Sequence, residues 1–75
     1  MELKINGPQT FQVNAHSFIA SPSETDYVFM YSADGENWSE YDEVTPAGEV
    51  LNVFGLAFGT YCSLDGAEGE ITIRY

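Results

Sequence analysis

The sequence predicts a small all-β domain, an antiparallel sandwich of about seven strands, and three observations carry this prediction. No window shows apolar residues at the sustained spacing of three and four that marks an amphipathic helix. Short segments rich in β-branched and aromatic residues recur instead, separated by clusters of Gly, Pro, Asn, Asp and Ser. Connections this short favour antiparallel meanders over parallel crossovers.

Length and composition set the domain organisation. The chain has 75 residues, enough for a single domain spanning 1–75, and 44% of them are hydrophobic. A domain of this size hides about 60% of the surface that its unfolded chain exposes, so we expect modest stability. With 15% aromatic residues the chain is too apolar for a disordered acidic tail, and it should fold.

The N-terminal part predicts three strands. Apolar and polar residues alternate over 2–5 and again over 11–14, with an Asn-Gly-Pro turn at 6–8 between them. A third, short strand is expected within 16–20. It ends at the Ser-Pro-Ser sequence of 21–23, because proline lacks the amide that a central ladder needs.

The strongest strand pattern covers 26–32, where apolar residues occupy both odd and even positions and therefore both faces of the strand. Such a strand is buried on both faces or lines a contact surface, and we expect it to be central in its sheet. Asp34-Gly35 is a turn dipeptide that returns the chain into a strand at 38–41. A two-residue loop would place Tyr31 opposite Trp38, whereas a longer loop would shift the register, which the sequence leaves open.

The C-terminal part predicts three further strands. The Thr-Pro-Ala-Gly sequence at 45–48 forms a turn before a strand at 50–54, and the next strand covers 59–64. The Asp-Gly-Ala-Glu-Gly sequence at 65–69 is expected to close a hairpin onto the last strand, 70–75. That strand is half-buried because three apolar residues share one face: Ile71, Ile73 and Tyr75.

The charge is strongly negative. The chain has twelve acidic residues and only two basic ones, Lys4 and Arg74, which gives a formal net charge of -10. Nucleic acid and anionic membranes would be repelled. We therefore expect a basic or neutral protein surface, a cation or a neutral glycan as the partner. The alternative is that the charge serves solubility alone.

Cys62 and His16 are the only thiol and the only imidazole in the chain. A lone cysteine excludes an internal disulfide, which favours an intracellular origin. The two residues lie on separate predicted strands, so we expect Cys62 in the core, His16 at the surface and no catalytic residue. No apolar run reaches signal-peptide length at the N-terminus or the roughly 20 residues of a membrane span, so we expect a soluble protein without a cleaved signal.

The carboxylates are interpreted as solvated loop charges. A glycosidase-like acid pair needs a substrate cleft, for which so small a sandwich has little volume. Asp34, Glu36 and Asn37 could place oxygens near a calcium ion, but their spacing fails the calcium-loop pattern. One histidine and one cysteine cannot complete a tetrahedral zinc shell. We predict no metal, no cofactor and no enzymatic activity.

Aromatic residues exceed what a core of this size requires. We expect some to be exposed, either as anchors of a protein interface or as a stacking platform for sugars. The candidate interface consists of four residues of the central hairpin: Tyr27, Tyr31, Trp38 and Tyr41. The alternative places Phe29 and Trp38 wholly inside, and the pattern alone does not decide between the two.

Two short motifs resemble known β-sandwich families. The sequence Tyr-Ser-Ala-Asp-Gly-Glu-Asn-Trp at 31–38 resembles the Tyr-Ser-x-Asp-Gly-x-x-Trp hairpin of discoidin-type carbohydrate-binding domains. Those domains are considerably longer, so the match implies a sandwich hairpin and carries over no sugar-binding residue. Gly-Thr-Tyr-Cys at 59–62 resembles the sixth strand of immunoglobulin domains, although there the tyrosine stands two residues before the cysteine and a second cysteine pairs with it. It implies an immunoglobulin-like sandwich without membership of that family.

The layout of 25–75 resembles small immunoglobulin-like virion proteins of tailed bacteriophages. It combines the Tyr-Ser-x-Asp-Gly hairpin, the Thr-Pro-Ala-Gly turn, a Gly-x-x-x-Gly-Thr-Tyr strand and a terminal Gly-Glu-Ile-Thr-Ile-Arg-Tyr. Such proteins decorate capsids or anchor head fibres. The resemblance implies a structural protein that assembles in the host cytoplasm and docks in the virion on a larger scaffold, such as a major capsid protein. Self-association stays open.

Two other functions compete with the virion role. The first is a glycan-binding or adhesion module, and the second is an acidic inhibitor that imitates DNA. A broad apolar patch on the surface would favour the assembly protein. An exposed row of aromatic rings would favour the glycan-binding module. Carboxylates gathered on one face would favour the DNA mimic.

Overall fold

Seven strands form two antiparallel sheets in a computed structural model that describes the backbone of residues 1–75 and every side chain except that of Asp42. The strands are β1 (Glu2–Asn6), β2 (Phe18–Ala20), β3 (Tyr27–Ser32), β4 (Ser39–Thr45), β5 (Leu51–Val53), β6 (Tyr61–Asp65) and β7 (Glu70–Arg74). One sheet has the order β1-β7-β2-β5, and the other has the order β4-β3-β6. The predicted all-β sandwich is confirmed.

The core lies between the two sheets and is built from alternate residues of each strand. In β3, Tyr27 and Phe29 are buried while Val28 and Met30 are half-buried on the outer face. The prediction that this strand is central is confirmed, since β3 pairs with both β4 and β6. Cys62 is fully buried, as predicted. Within the described residues, no helix has the length and apolar character needed to cross a membrane.

The predicted hairpin between the last two strands is wrong. β6 pairs with β3, whereas β7 crosses to the other sheet and lies between β1 and β2. In the constant-type immunoglobulin order the last two strands pair, so the sandwich departs from that order at β7. In this central position Ile71 and Ile73 are completely buried.

The predicted strand at 11–14 is also wrong. The segment makes a single antiparallel bridge, between Phe11 and Cys62. The amide of each residue donates to the carbonyl of the other, at 2.9 and 2.8 Å, and the Gln12 side-chain amide donates to the Gly59 carbonyl at 2.9 Å. The alternation correctly indicated that Phe11 and Val13 face the core, where both are buried. This segment covers the edge of β6 that a β6–β7 hairpin would have used.

The register between β3 and β4 contains a bulge. Val28 lies opposite Val44, but Met30 lies opposite Glu40, so β4 inserts two more residues than β3 between these pairs. Tyr31 faces Ser39 and not Trp38. β4 runs to Thr45, well past the end that the sequence predicted at residue 41. A bulge turns side chains away from simple alternation, and here it brings Tyr41 against the ring of Phe29.

Candidate functional site

The prediction that Tyr27 belongs to an exposed interface is wrong. Only 1% of this residue is exposed, because it lies on the same face of β3 as Phe29 and points toward the opposite sheet. Its hydroxyl makes no hydrogen bond of ordinary geometry with the described residues. Burial raises the pKa of Tyr27, and the neighbouring Thr45 side chain opposes this shift. Tyr27 is a core residue.

Trp38 lies apart from the other candidate residues. Its half-buried ring lines a shallow depression on the outer face of the smaller sheet, next to Met30 and Ser63. Phe29 is wholly inside, as one interpretation of the sequence proposed, but Trp38 is not. The structure thus separates Trp38 from the aromatic residues that face the gap between the sheets.

Tyr31 and Tyr41 are brought together by the fold. The two residues are 37% and 43% exposed, and the ring of each contacts Phe29 with ring centroids 5.8 Å apart. Together with residues of the opposite sheet they line a groove of about 360 Å³. We call this the aromatic groove; its lining residues are Phe29, Tyr31, Tyr41, Val53, Phe54, Gly55, Leu56, Ala57 and Thr60.

The opposite wall of the aromatic groove carries Phe54, which the sequence analysis missed. This ring is 78% exposed and follows directly after β5. A signal was present in the sequence. Leu51 and Val53 face the core, so strand alternation places Phe54 on the outside, where a large apolar side chain has no structural reason to be.

The loop that follows β5, residues 54–60, is held in place by His16. The Leu56 amide donates to the His16 carbonyl at 2.8 Å, and the His16 Nδ1 atom lies 2.7 Å from the Leu56 carbonyl. The imidazole also stacks on Phe58, with ring centroids 4.0 Å apart. His16 is exposed, as predicted, and it positions the wall of the aromatic groove.

The chemistry that the aromatic groove offers is mainly apolar. Among its described lining residues, the side-chain hydrogen-bonding groups are the hydroxyls of Tyr31, Tyr41 and Thr60, and none is charged. Cys62 lies beneath the surface, where burial raises the pKa of its thiol to about 11. The described residues contain no group of three or more histidine, cysteine or acidic side chains arranged to hold a metal. The groove is suited to receive apolar side chains.

The acidic turn after β3 is a closed hydrogen-bonded unit. The Asp34 carboxylate accepts bonds from the amides of Asn37 and Glu36, both at 2.8 Å, from the Asn37 side chain at 2.7 Å and from the Ser32 hydroxyl at 2.9 Å. These donors, led by the backbone amide of Asn37, hold the pKa of Asp34 well below its usual range. The Asp34 carboxylate, which the sequence analysis considered as a calcium ligand, therefore stabilises its own turn.

Positive charge is confined to the larger sheet. Lys4 lies 3.8 Å from Glu70, and the Arg74 side chain bonds Glu2 at 3.2 Å. These exposed pairs contribute little stability, roughly 0–1 kcal/mol each. The smaller sheet carries acidic residues without a basic one. The negative charge therefore predominates on the smaller sheet, whereas Arg74 lies near Phe54 on the larger one.

Comparisons with known protein families, with curated proteins and with solved structures give no match. The aromatic groove, the strand edges beside it and the distribution of charge are the observations from which function is inferred.

Proposed function

We propose that the protein is a non-enzymatic virion structural protein that docks through the aromatic groove on a larger protein scaffold, such as a major capsid protein. It would act in capsid decoration or in association with head fibres. The observation that carries the docking role is the cluster of Tyr31, Tyr41 and Phe54 around a floor formed by Phe29. The resemblance of residues 25–75 to small phage virion proteins supports the particle as the place of docking.

The shape of the aromatic groove supports protein docking. Aromatic rings combine large contact area with few rotatable bonds, which is why they anchor protein interfaces. Tyr31 and Tyr41 are already packed against the Phe29 ring, so little side-chain freedom is lost when a partner binds. Phe54 faces them with most of its ring in solvent. The site is preorganised for an apolar anchor.

Apolar surface also continues beyond the aromatic groove. Phe54 lines a second hollow, of about 430 Å³, together with Ile19 and Tyr75 on the outer face of the larger sheet, and Arg74 and Asn52 lie at the same hollow. Ile19 and Val50 are each about half exposed on this side. An extended apolar surface favours an assembly protein over a binder of one small ligand.

The particle itself provides the test. We expect mass spectrometry of purified particles to find this protein in a fixed stoichiometry, with many copies per capsid for decoration and a handful for a fibre or vertex role. A Phe54→Ala variant should be absent from particles, while a Trp38→Ala variant, changed on the outer face of the smaller sheet, should be incorporated normally. Absence of the natural protein from particles would refute the proposal.

A glycan-binding module is the second candidate, and the exposed rings of Tyr31 and Tyr41 favour it. Sugars stack on such rings, but recognition also needs polar groups placed around them. The described lining of the aromatic groove offers two tyrosine hydroxyls and no carboxylate or side-chain amide, and its Thr60 hydroxyl already donates to the Ala57 carbonyl at 2.7 Å. Titration of soluble glycans against isotope-labelled protein tests this candidate, since shifts at Tyr31 and Tyr41 would support it.

A further inference from the structure

The side of the sandwich beside the aromatic groove has two open strand edges. β4 pairs only with β3, and β5 pairs only with β2. Among the backbone hydrogen bonds of the described chain, none joins the outer edge of β4 to another segment. β4 has seven residues, and on either side of the bulge at 41–43 alternate residues present an amide and a carbonyl to this side. Unpaired edges of this length are templates for another strand.

Between these two edges lies a second depression that continues the aromatic groove. It has a volume of about 280 Å³ and is lined by residues of β4 and by the segment leading into and through β5. Its lining is more polar than that of the aromatic groove, because Glu43, Glu49 and Asn52 lie beside Val44, Val50 and Leu51. Tyr41 lines both hollows, so the two are adjacent along β4. Inward-facing side chains of a strand follow one another at about 7 Å. An added strand would therefore present successive side chains to the two hollows.

The charge along this side selects the occupant. Glu40 and Glu43 lie on β4, and Glu49 lies just before β5. Glu43 and Glu49 line the depression between the edges. Pairing of β4 with β4 of a second copy would oppose like charges in chains that each carry a net charge of -10. A segment with lysine or arginine would instead be attracted.

We infer that β4 accepts an extended, basic segment of the partner protein as a fourth strand of the smaller sheet. Its backbone bonds the free edge of β4, and an inward-facing apolar side chain enters the aromatic groove. The next inward-facing side chain is basic and enters the adjoining depression beside Glu43 and Glu49. Strand addition of this kind derives affinity from main-chain bonds and specificity from alternate side-chain pockets. The inference rests on the proposed docking function and specifies the chemistry of the partner.

Selection from a displayed library of randomised nine-residue peptides tests this inference on the full chain. We expect the enriched peptides to carry an apolar residue with lysine or arginine two positions away, and to bind less tightly as salt is raised. On binding, amide hydrogen exchange should slow within residues 39–45. Methylation of the peptide amides that face β4 should abolish binding, because the added ladder loses its donors.

Substitutions in the protein locate the bound peptide. Tyr41→Ala and Phe54→Ala should each weaken binding about tenfold or more, and Trp38→Ala should leave it unchanged. Phe54 lies outside the strands, so its replacement keeps the test valid if Tyr41→Ala fails to fold. Failure to enrich any peptide, enrichment of peptides without basic residues, or unchanged exchange in β4 would overturn the inference.

The two proposals can fail separately. If Phe54→Ala is lost from particles but no basic peptide pairs with β4, docking stands and strand addition is wrong. If basic peptides add to β4 but the protein is absent from particles, strand addition stands and the virion role is wrong.

Discussion

Phe11 and Cys62 exchange two backbone hydrogen bonds, each residue donating its amide to the carbonyl of the other. This bridge lays the segment around Phe11 along the outer edge of β6 and shields it from other strands. The opposite edge of the same sheet, β4, has no such cover among the described residues. The smaller sheet is therefore covered at one edge and open at the other, and the aromatic groove lies on the open side.

The first prediction concerns β7, the strand inside the larger sheet. Ile73 is fully buried, so Ile73→Ala should lower the free energy of unfolding by about 2–5 kcal/mol. Thr72→Ala, on the other face, should change it by less than about 1 kcal/mol. Deletion of residues 71–75 should abolish folding. Urea denaturation measures all three variants, and a cooperative transition in the deletion variant would show that β7 is dispensable.

A second prediction compares two glycines with left-handed backbones. Gly66 has a φ of 97° and Gly48 a φ of 82°. A Cβ atom on Gly66 would lie 3.0 Å from the Asp26 carbonyl oxygen, whereas one on Gly48 would meet nothing within 4 Å. Gly48→Ala should cost about 1–2 kcal/mol of backbone strain, and Gly66→Ala should cost about 1 kcal/mol more. Equal losses of stability would contradict the close approach at Gly66.

The third prediction concerns the buried thiol. Because the pKa of Cys62 is raised to about 11, a thiol reagent at pH 8 should label the folded protein far more slowly than the unfolded chain. The folded protein favours the neutral thiol, whose pKa in the unfolded chain is about 8.5. This preference stabilises the fold fully below about pH 8.5, and the stabilisation is lost as the pH rises toward 11. Reducing agent should leave the melting temperature unchanged. Rapid labelling of the native protein would indicate an accessible thiol.

Cys62→Ala supplies the control for this titration. It should alter stability without abolishing docking, because the thiol lies in the core and not in the aromatic groove. The alkaline loss of stability should be smaller in the variant than in the natural protein. If stability falls with rising pH to the same extent in Cys62→Ala and in the natural protein, groups other than this thiol cause the loss.

A fourth prediction concerns the turn built around Asp34. Its pKa is lowered by hydrogen bonds to the ionised form, so the stabilisation is present above the unfolded pKa of about 3.9 and lost as pH falls below it. Asp34→Asn should therefore lower the melting temperature at pH 7, and the difference should narrow at acid pH. Glu36→Gln, an exposed acid of the same turn, should have little effect at either pH. A difference for Asp34→Asn that is as large at pH 2 as at pH 7 would exclude the charge as its cause.

The alternation of apolar and polar residues was sufficient to predict which side chains of a strand are buried. Ile71 and Ile73 alternate with Thr72, and both face the core as predicted. Cys62 likewise lies in phase with the buried Leu64. These predictions succeed because the two-residue period of a strand depends only on neighbouring residues.

The arrangement of strands could not be predicted in the same way. Whether β7 pairs with β6 or crosses to the other sheet depends on the edge that Phe11 occupies, some fifty positions earlier in the chain. Alternation also gives the face of a side chain but not its depth. Tyr27 and Tyr31 share a face of β3, yet Tyr27 is buried and Tyr31 borders the aromatic groove, where packing between the sheets thins.

The position of β7 has a kinetic consequence. It joins residues far apart in the chain, since Glu2 pairs with Arg74, so the larger sheet cannot form before most of the polypeptide has been synthesised. Folds dominated by such distant pairings have high contact order and fold on the order of milliseconds to seconds. During that interval hydrophobic strands are exposed to other nascent chains. A net charge of -10 makes these chains repel one another, which opposes their association while they fold.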